Sequence, residues 1–309
     1  MARGGLRYLA ERAAHAVVVL LGISLIVFVL VHLTGDPSAA MLPPDAPAET
    51  REAFRRQAGL DQPLQVQYVL FLARAARGDF GNSLREPVSA MSLVLERLPN
   101  TLQLVGSGLL IALVLGVLFG AIAAVSHRSS VRATAETAGL VGQMVPDFWL
   151  GIMLILVFAV GLQWLPASGR GGPQFLILPA LTLAAYPLAM IMRLTRSSLR
   201  EVLYQDYIRT AYSKGLSRQA VLARHALKNA AIPVVSYLGV QAAHLVGGAI
   251  VVETVFSFPG MGLLAVQSIA TRDLPVIQAF VVVVGVFVIL MNLLVDGAYA
   301  LLNPRLRHA

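Results

Sequence analysis

The sequence predicts an all-α integral membrane protein with six transmembrane helices and both termini in the cytoplasm. Three observations carry that reading. Of the 309 residues, 57% are hydrophobic and 13% charged, with a mean hydropathy of +0.73, far from the composition of a soluble globular domain. Apolar runs of about twenty residues, the length that crosses a bilayer core, recur along the chain. Most of the 24 lysines and arginines fall beside alternate run ends, as they do where cytoplasmic loops collect positive charge.

Taken in order, the runs predict spans starting near Ala13, Thr101, Ala138, Gln174, Ala230 and Val276. Their ends fall near Leu33, Val125, Leu162, Met192, Val252 and Leu302. Arg3, Arg7 and Arg12 precede the first run and Ser38-Ala39-Ala40 follows it, so a cleaved signal peptide is the alternative there. The run from Ala16 to Leu33 is longer than the about 7 to 15 residues of a signal's apolar region, which favours a retained anchor. Residues 1–33 are therefore read as a cytoplasmic amino terminus and first span. Residues 34–100, with Pro37, Pro43, Pro44, Pro47 and a helical patch from Glu49 to Gln57, read as a small extracytoplasmic subdomain. Residues 101–309 form a five-helix core, in which Gly116 and Gly120 have the spacing of a close helix contact.

Orientation follows from the basic residues. One side receives Arg3, Arg7 and Arg12, then Arg128 and Arg132, then eight from Arg193 to Lys228, then Arg305 and Arg307. The two later loops on the other side hold only Arg170 and Arg272. Seven more lie in the long first loop beside eight acids, and long loops translocate largely regardless of charge. The net charge of +8 thus reflects topology and anionic lipid, not nucleic acid.

Several chemistries are excluded. The chain has no cysteine, hence no disulfide or thiolate metal site, and its six histidines lack ligand spacing. Its two lysines, in Ser213-Lys214-Gly215 and Leu227-Lys228-Asn229, do not sit in a phosphate-binding loop. No nucleophile triad or carboxylate pair stands out, so no catalytic residue, metal or cofactor is assigned. If such a membrane protein performs active transport, the work has to come from ATP hydrolysed on another subunit or from an ion gradient.

Ionisable groups inside spans are costly and default to functional roles. Asp147, His244, Glu253 and Asp296 are the candidates here. Glu253 and Asp296 fall close to span ends, where an interfacial carboxylate in water is the plainer expectation. Asp147 follows Pro146, which interrupts the helix, and serves either that break or a pathway. Asp147, His244 and Glu253 are carried forward as translocation-pathway candidates.

Between the fourth and fifth runs lies a basic, helix-patterned segment from Asp206 to Asn229, broken at Lys214-Gly215-Leu216-Ser217. Asp206 can cap a first helix, Lys214 suits its last turn, and Gly215 suits the left-handed position beyond it. Ser217 can cap a second helix running from Arg218 towards Asn229, with Ile232-Pro233 opening the next apolar run. A helix, glycine turn and helix with Arg218, Arg224 and Lys228 could also grip DNA, but membrane spans on both sides exclude that.

Asp206-Tyr-Ile-Arg-Thr-Ala-Tyr-Ser-Lys-Gly-Leu-Ser, with Arg224-His-Ala-Leu-Lys-Asn-Ala-Ala-Ile-Pro-Val-Val, resembles the cytoplasmic coupling loop of ABC importer permeases of the dipeptide, oligopeptide and nickel group. The resemblance extends over nearly the whole chain. It takes in Gly35-Asp36-Pro37, Gly59-Leu-Asp-Gln-Pro, Gly78-Asp-Phe-Gly-Asn-Ser-Leu, Leu98-Pro-Asn-Thr and Arg193-Leu-Thr-Arg. It continues through Gly247-Gly-Ala-Ile-Val-Val-Glu-Thr-Val-Phe, Phe258-Pro-Gly-Met-Gly and Asn303-Pro-Arg-Leu-Arg. Against the general importer pattern Glu-Ala-Ala-x3-Gly-x9-Ile-x-Leu-Pro, Ala211, Gly215 and Leu227 are kept. Arg209 and Thr210 replace the glutamate and first alanine, and His225 and Lys228 replace the isoleucine and proline.

The resemblance implies a type I importer permease in a bacterial inner membrane. It also implies a second permease, two ABC ATPase subunits and an extracytoplasmic solute-binding protein as partners. Within a coupling loop at 193–230 it implies ATPase contacts at Asp206, Arg209, Ala211, Gly215, Leu216, Ala220, Val221, Arg224, His225 and Asn229, with Leu216, Ala220, Val221 and Arg224 as the docking face. Solutes carried by such permeases include dipeptides, longer peptides, glutathione, opines and nickel chelates. The competing reading is a gradient-driven secondary transporter with Asp147 as its coupling carboxylate.

Overall fold

The structure, a computed structural model, describes residues 14–15, 17–29, 47–57 and 61–302. In chain order the described helices are α1 (Val17–Val29), α2 (Ala48–Gln57), α3 (Leu64–Ala75), α4 (Ala90–Val125) and α5 (Ser129–Met144). Next come α6 (Asp147–Leu154, continued by a π turn at Ile155–Gly161), α7 (Gln174–Leu203) and α8 (Asp206–Ser213). Last are α9 (Arg218–Val255), α10 (Met261–Ala270) and α11 (Leu274–Leu302). Among the described residues the extended pairing is a single bridge between Asn82 and Ser89.

Helices α4, α7, α9 and α11 are each long and apolar enough to cross a membrane, and the bent pair α5 and α6 makes a fifth candidate. The first predicted span survives as the shorter apolar helix α1. Its flanking residues 1–13 and 30–33, the prolines of residues 34–46 and the tail from residue 303 lie outside the described residues.

The interruption read at Pro146 is present and sharp: α5 and α6, which divide the run from Ala138 to Leu162, meet at an angle of 106°. Proline disfavours the helical region for its predecessor, and Val145 is extended at φ −78° and ψ 121°. Asp147 then stands in the first turn of α6, where its carboxylate meets the positive end of the helix dipole. The helix read from Arg218 towards Asn229 and the apolar run read from Ala230 are one element: α9 runs unbroken through Pro233 for 38 residues. Valines come after that proline instead of an acid, and α4 and α7 likewise continue through Pro99, Pro179 and Pro187. Membrane helices tolerate such prolines where neighbours and side chains satisfy the freed carbonyl.

The chain divides into two compact units, Met1–Pro99 with Leu263–Leu290, and Asn100–Gly262 with Met291–Ala309. In the first, the rings of Phe28, Tyr68, Phe71 and Phe80 form a contiguous aromatic cluster, with Phe28 and Tyr68 centroids 5.3 Å apart. Tyr68 also donates to the carbonyl of Leu21 at 3.1 Å. Ser83 and the Leu84 amide donate to the buried Asp273 carboxylate, and Arg85 reaches the Thr271 carbonyl at 3.0 Å.

In the second unit α7 is the most enclosed span, with 56% of its apolar window buried against 28% for α4. The glycine spacing anticipated in the sequence sets the α4 and α7 approach. A Cβ at Gly116 would lie 2.8 Å from Ile191 Cγ2, and one at Gly120 would lie 2.5 Å from the Met192 carbonyl oxygen. Helix α9 packs along α7, and Val234 of α9 joins Ala184 and Ile191 of α7 and Ala112 of α4 in one buried cluster.

Candidate functional site

The elbow follows the punctuation of the sequence closely. Helix α8 ends at Ser213 with Lys214 as its C-cap, and Gly215 takes φ +78°, a region open to glycine and strained for side chains with a Cβ. The Gly215 amide bonds the Tyr212 carbonyl at 2.9 Å, and the Leu216 amide bonds that of Ala211 at 3.3 Å, which closes the end of α8. Ser217 Oγ accepts from the Ala220 amide at 3.3 Å and caps α9. Asp206 differs from expectation. Gln205 occupies the capping position, and Asp206 lies in the first turn, where it serves the helix dipole and pairs with Arg209 at 3.7 Å.

Beneath the turn lies an apolar cluster of Ala124, Leu199, Ile208, Ala211, Val221, Ala226 and Ala230. Two residues expected on the contact surface are thereby inside: Ala211 is buried, and Val221 is fully buried. The reason is local. A π turn over Val221–Ala226 rotates the first turns of α9, so both ends of that turn face the cluster. Ala220 and His225 are half-buried, while Leu216, Arg224 and Asn229 are exposed.

Polar ties hold the elbow to its supports. Asn229 Nδ2 donates to Tyr207 Oη at 3.0 Å and to the His225 carbonyl at 2.9 Å, joining α9 to α8. Arg218 donates to the Val125 carbonyl at the end of α4, at 3.2 Å. Arg196 of α7 pairs with Glu136 of α5 at 2.5 Å. The elbow displays an aromatic and basic surface: Tyr204 at 80% exposure, with Tyr207, Tyr212, Leu216, Arg209 and Lys214. The tyrosines are absent from the contacts expected of the sequence. Their signal there is three aromatic residues in a polar segment of nine, and exposed aromatics mark contact surfaces.

The three pathway candidates separate. Asp147 is half-buried and forms no hydrogen bond or ion pair among the described residues, and its carboxylate faces Gly248 of α9, 3.9 Å from where a Cβ would stand. His244, one turn before Gly248 on the same helix, is exposed. Glu253 contradicts the interfacial expectation, because it is fully buried. Thr101 Oγ1 donates to its Oε1 at 2.6 Å, and the Gly262 amide donates to its Oε2 at 2.7 Å. Thr101 in turn accepts from the Met261 amide at 2.8 Å, and Asn100 donates to the Pro259 carbonyl at 2.6 Å. Asp296 lies in α11, and its side chain is outside the described residues.

Residues 116–308 match the family described as binding-protein-dependent transport system inner membrane component, and residues 5–105 match the amino-terminal model of such membrane components. The glutathione transport system permease protein GsiC of Escherichia coli K12 is 42% identical over 306 residues, covering 98% of this chain and 99% of that one. Its counterpart in Salmonella choleraesuis is equally similar over the same span. Among solved structures, an inward-facing MetNI methionine ABC transporter aligns with 69% of this chain and 97% of its own at a TM-score of 0.57 and 17% identity. An amino acid ABC transporter determined with histidines aligns with 66% of this chain and 92% of its own at a TM-score of 0.50 and 18% identity. The chain belongs to the binding-protein-dependent transport inner membrane family. It is a multi-pass bacterial inner-membrane permease, the transmembrane subunit of an ATP-driven importer.

Proposed function

We propose that this permease imports short peptides and peptide-like solutes of glutathione size, using ATP hydrolysed by two partner ATPases. The likeness to GsiC over 98% of the chain carries the solute class. A second permease completes the pathway, and an extracytoplasmic binding protein delivers the solute. The elbow faces the cytoplasm, an orientation supported by the basic residues from Arg193 to Lys228. Its exposed tyrosines, with Leu216 and Arg224, form the surface offered to an ATPase groove.

Asp147 and His244 line the solute route on α6 and α9. Both are polar groups within spans, and an unpaired carboxylate there is expensive unless it faces a cavity or a passing solute. Glu253, which is fully buried within the chain, is left out of that lining in this reading. Mechanistically, closure of the ATPases displaces the elbow, and α9, continuous with it, carries the motion into the membrane.

The test is uptake of labelled glutathione and dialanine into vesicles holding the assembled importer. Uptake that requires ATP and the ATPase subunits is expected. Uptake driven by a proton gradient without ATP would replace the mechanism with secondary transport. Labelling of Ser217→Cys solely from outside intact cells would reverse the orientation.

A further inference from the structure

Helix α9 spans 38 residues, about 57 Å at 1.5 Å per residue, so it exceeds the roughly 30 Å hydrocarbon core. One end is the elbow. The other end is Glu253, held by Thr101 of α4 and by the turn that leads to α10. We propose that Glu253 is a positioning residue for coupling: its bonds pin the far end of α9 to α4, so that an elbow displacement reaches the extracytoplasmic side as movement of one body. This rests on ATPase docking at the elbow.

The pin is polar where an apolar contact would be cheaper. A buried carboxyl has to recover its lost hydration through hydrogen bonds, and a hydrophobic residue of similar volume commonly holds a fixed helix end at lower cost. Directional bonds add a single register. Here Oε1 and Oε2 each have a donor on a different segment, so a slip of α9 against α4 or against the turn breaks one of them. Apolar side chains tolerate such slips.

The turn is built around that carboxyl. A Cβ at Gly260 would overlap the Glu253 carboxyl group, and one at Gly262 would lie 2.6 Å from Ile250 Cα. The Phe258 amide bonds the Glu253 carbonyl at 2.8 Å, and Phe256 and Phe258 are buried on either side of Ser257, which takes φ +46°. Asn100 adds a second tie from α4 to the turn through Pro259. Within α9 the proline and the π turn both lie near the elbow, and from Val234 to Val255 the helix has neither. These two bending points lie on the elbow side, and the stretch beyond Pro233, whose one glycine pair is Gly247-Gly248, is the part that moves together in this proposal.

The chain has no cysteine, so Thr254→Cys, at an exposed position beside Glu253, gives a single reporter. Its labelling by a membrane-impermeant maleimide is measured in the assembled importer, nucleotide-free and after trapping with ATP and vanadate. A state-dependent difference is expected in the parent and with Thr101→Ser, which keeps the hydroxyl. With Thr101→Val the difference is lost while ATPase recovery and ATP hydrolysis persist. Asn100→Ala, a milder cut at the second tie, shrinks the difference and serves if Thr101→Val does not reach the membrane. An undiminished difference in Thr101→Val or Asn100→Ala overturns the pin. A parent that recovers no ATPase overturns the docking reading first, and the two failures are thereby distinguished.

Discussion

At the elbow end of α9 the charged groups of Asp206, Arg209 and Lys214 stand exposed around a buried patch of alanine, valine and isoleucine. At the other end the carboxyl of Glu253 is itself the buried element, and a backbone amide and a hydroxyl close over it. The first arrangement holds its shape by apolar packing and one left-handed glycine, leaving polar atoms free for a partner. The second has no polar atom to spare. A surface suited to binding and a joint suited to holding position thus need opposite placements of similar residues.

The comparison breaks most severely at the joint. Glu253→Leu leaves the Thr101 hydroxyl and the Gly262 amide without their acceptor, and about 1–3 kcal/mol for each orphaned buried group predicts a loss of about 2–6 kcal/mol. Glu253→Gln keeps one acceptor and should fall well short of that. Thermal melting of the purified chain in detergent, together with its level in the membrane, separates the two. A leucine variant as stable as the parent would show that the carboxyl is dispensable for holding the turn.

Next in size is Gly215→Val. A β-branched residue at φ +78° is strained by about 1–3 kcal/mol, which the elbow relieves by turning α9 away from α8. No atom stands within 4 Å of the added Cβ, so the effect comes from the backbone, not from a clash. Membrane levels should match the parent while recovery of ATPase subunits on the tagged chain drops by about tenfold, the factor that 1.4 kcal/mol represents. Undiminished recovery would remove the coupling role from the elbow.

These two positions differ in how far the sequence announces them. Gly215 and Ser217 act on their own neighbours within four residues, so turn and cap preferences alone place them correctly. Gly116 and Gly120 are equally readable from spacing. Glu253 is not, because its environment is set by Thr101, 152 positions away, and span-end position suggests water. The burial of Val221 depends on a π turn that helical periodicity does not encode. The 106° break at Pro146 and the continuity through Pro233 present the same residue type with opposite outcomes: an aspartate ready for a new helix N-terminus succeeds the first, and two valines succeed the second.

Asp147 lies between the two ends and tests the route rather than either anchor. Asn keeps its shape and removes the charge. With no ion partner among the described residues, the side chain has nothing to release on neutralisation, so Asp147→Asn should preserve folding. Uptake should fall by about threefold, on the order of 0.7 kcal/mol. Complete loss of uptake at normal assembly, with proton-gradient dependence in the parent, would favour secondary transport.

The smallest effect is expected where this chain departs from the general importer pattern. Arg209 stands in place of a glutamate, 78% exposed and paired with Asp206 at 3.7 Å across one turn of α8. Exposed pairs of this kind contribute about 0–1 kcal/mol and are screened by salt. Arg209→Glu restores the general residue and sets two like charges near each other, a change that solvent largely absorbs at that exposure. The buried Ala211 and the Gly215 turn are untouched, as are the exposed tyrosines. If apolar and aromatic surface dominates docking, ATPase recovery should change by less than about twofold, and salt should alter it equally in variant and parent. A tenfold loss that salt weakens would instead place a charge contact at position 209, making the elbow's exposed charges a determinant of docking alongside its tyrosines.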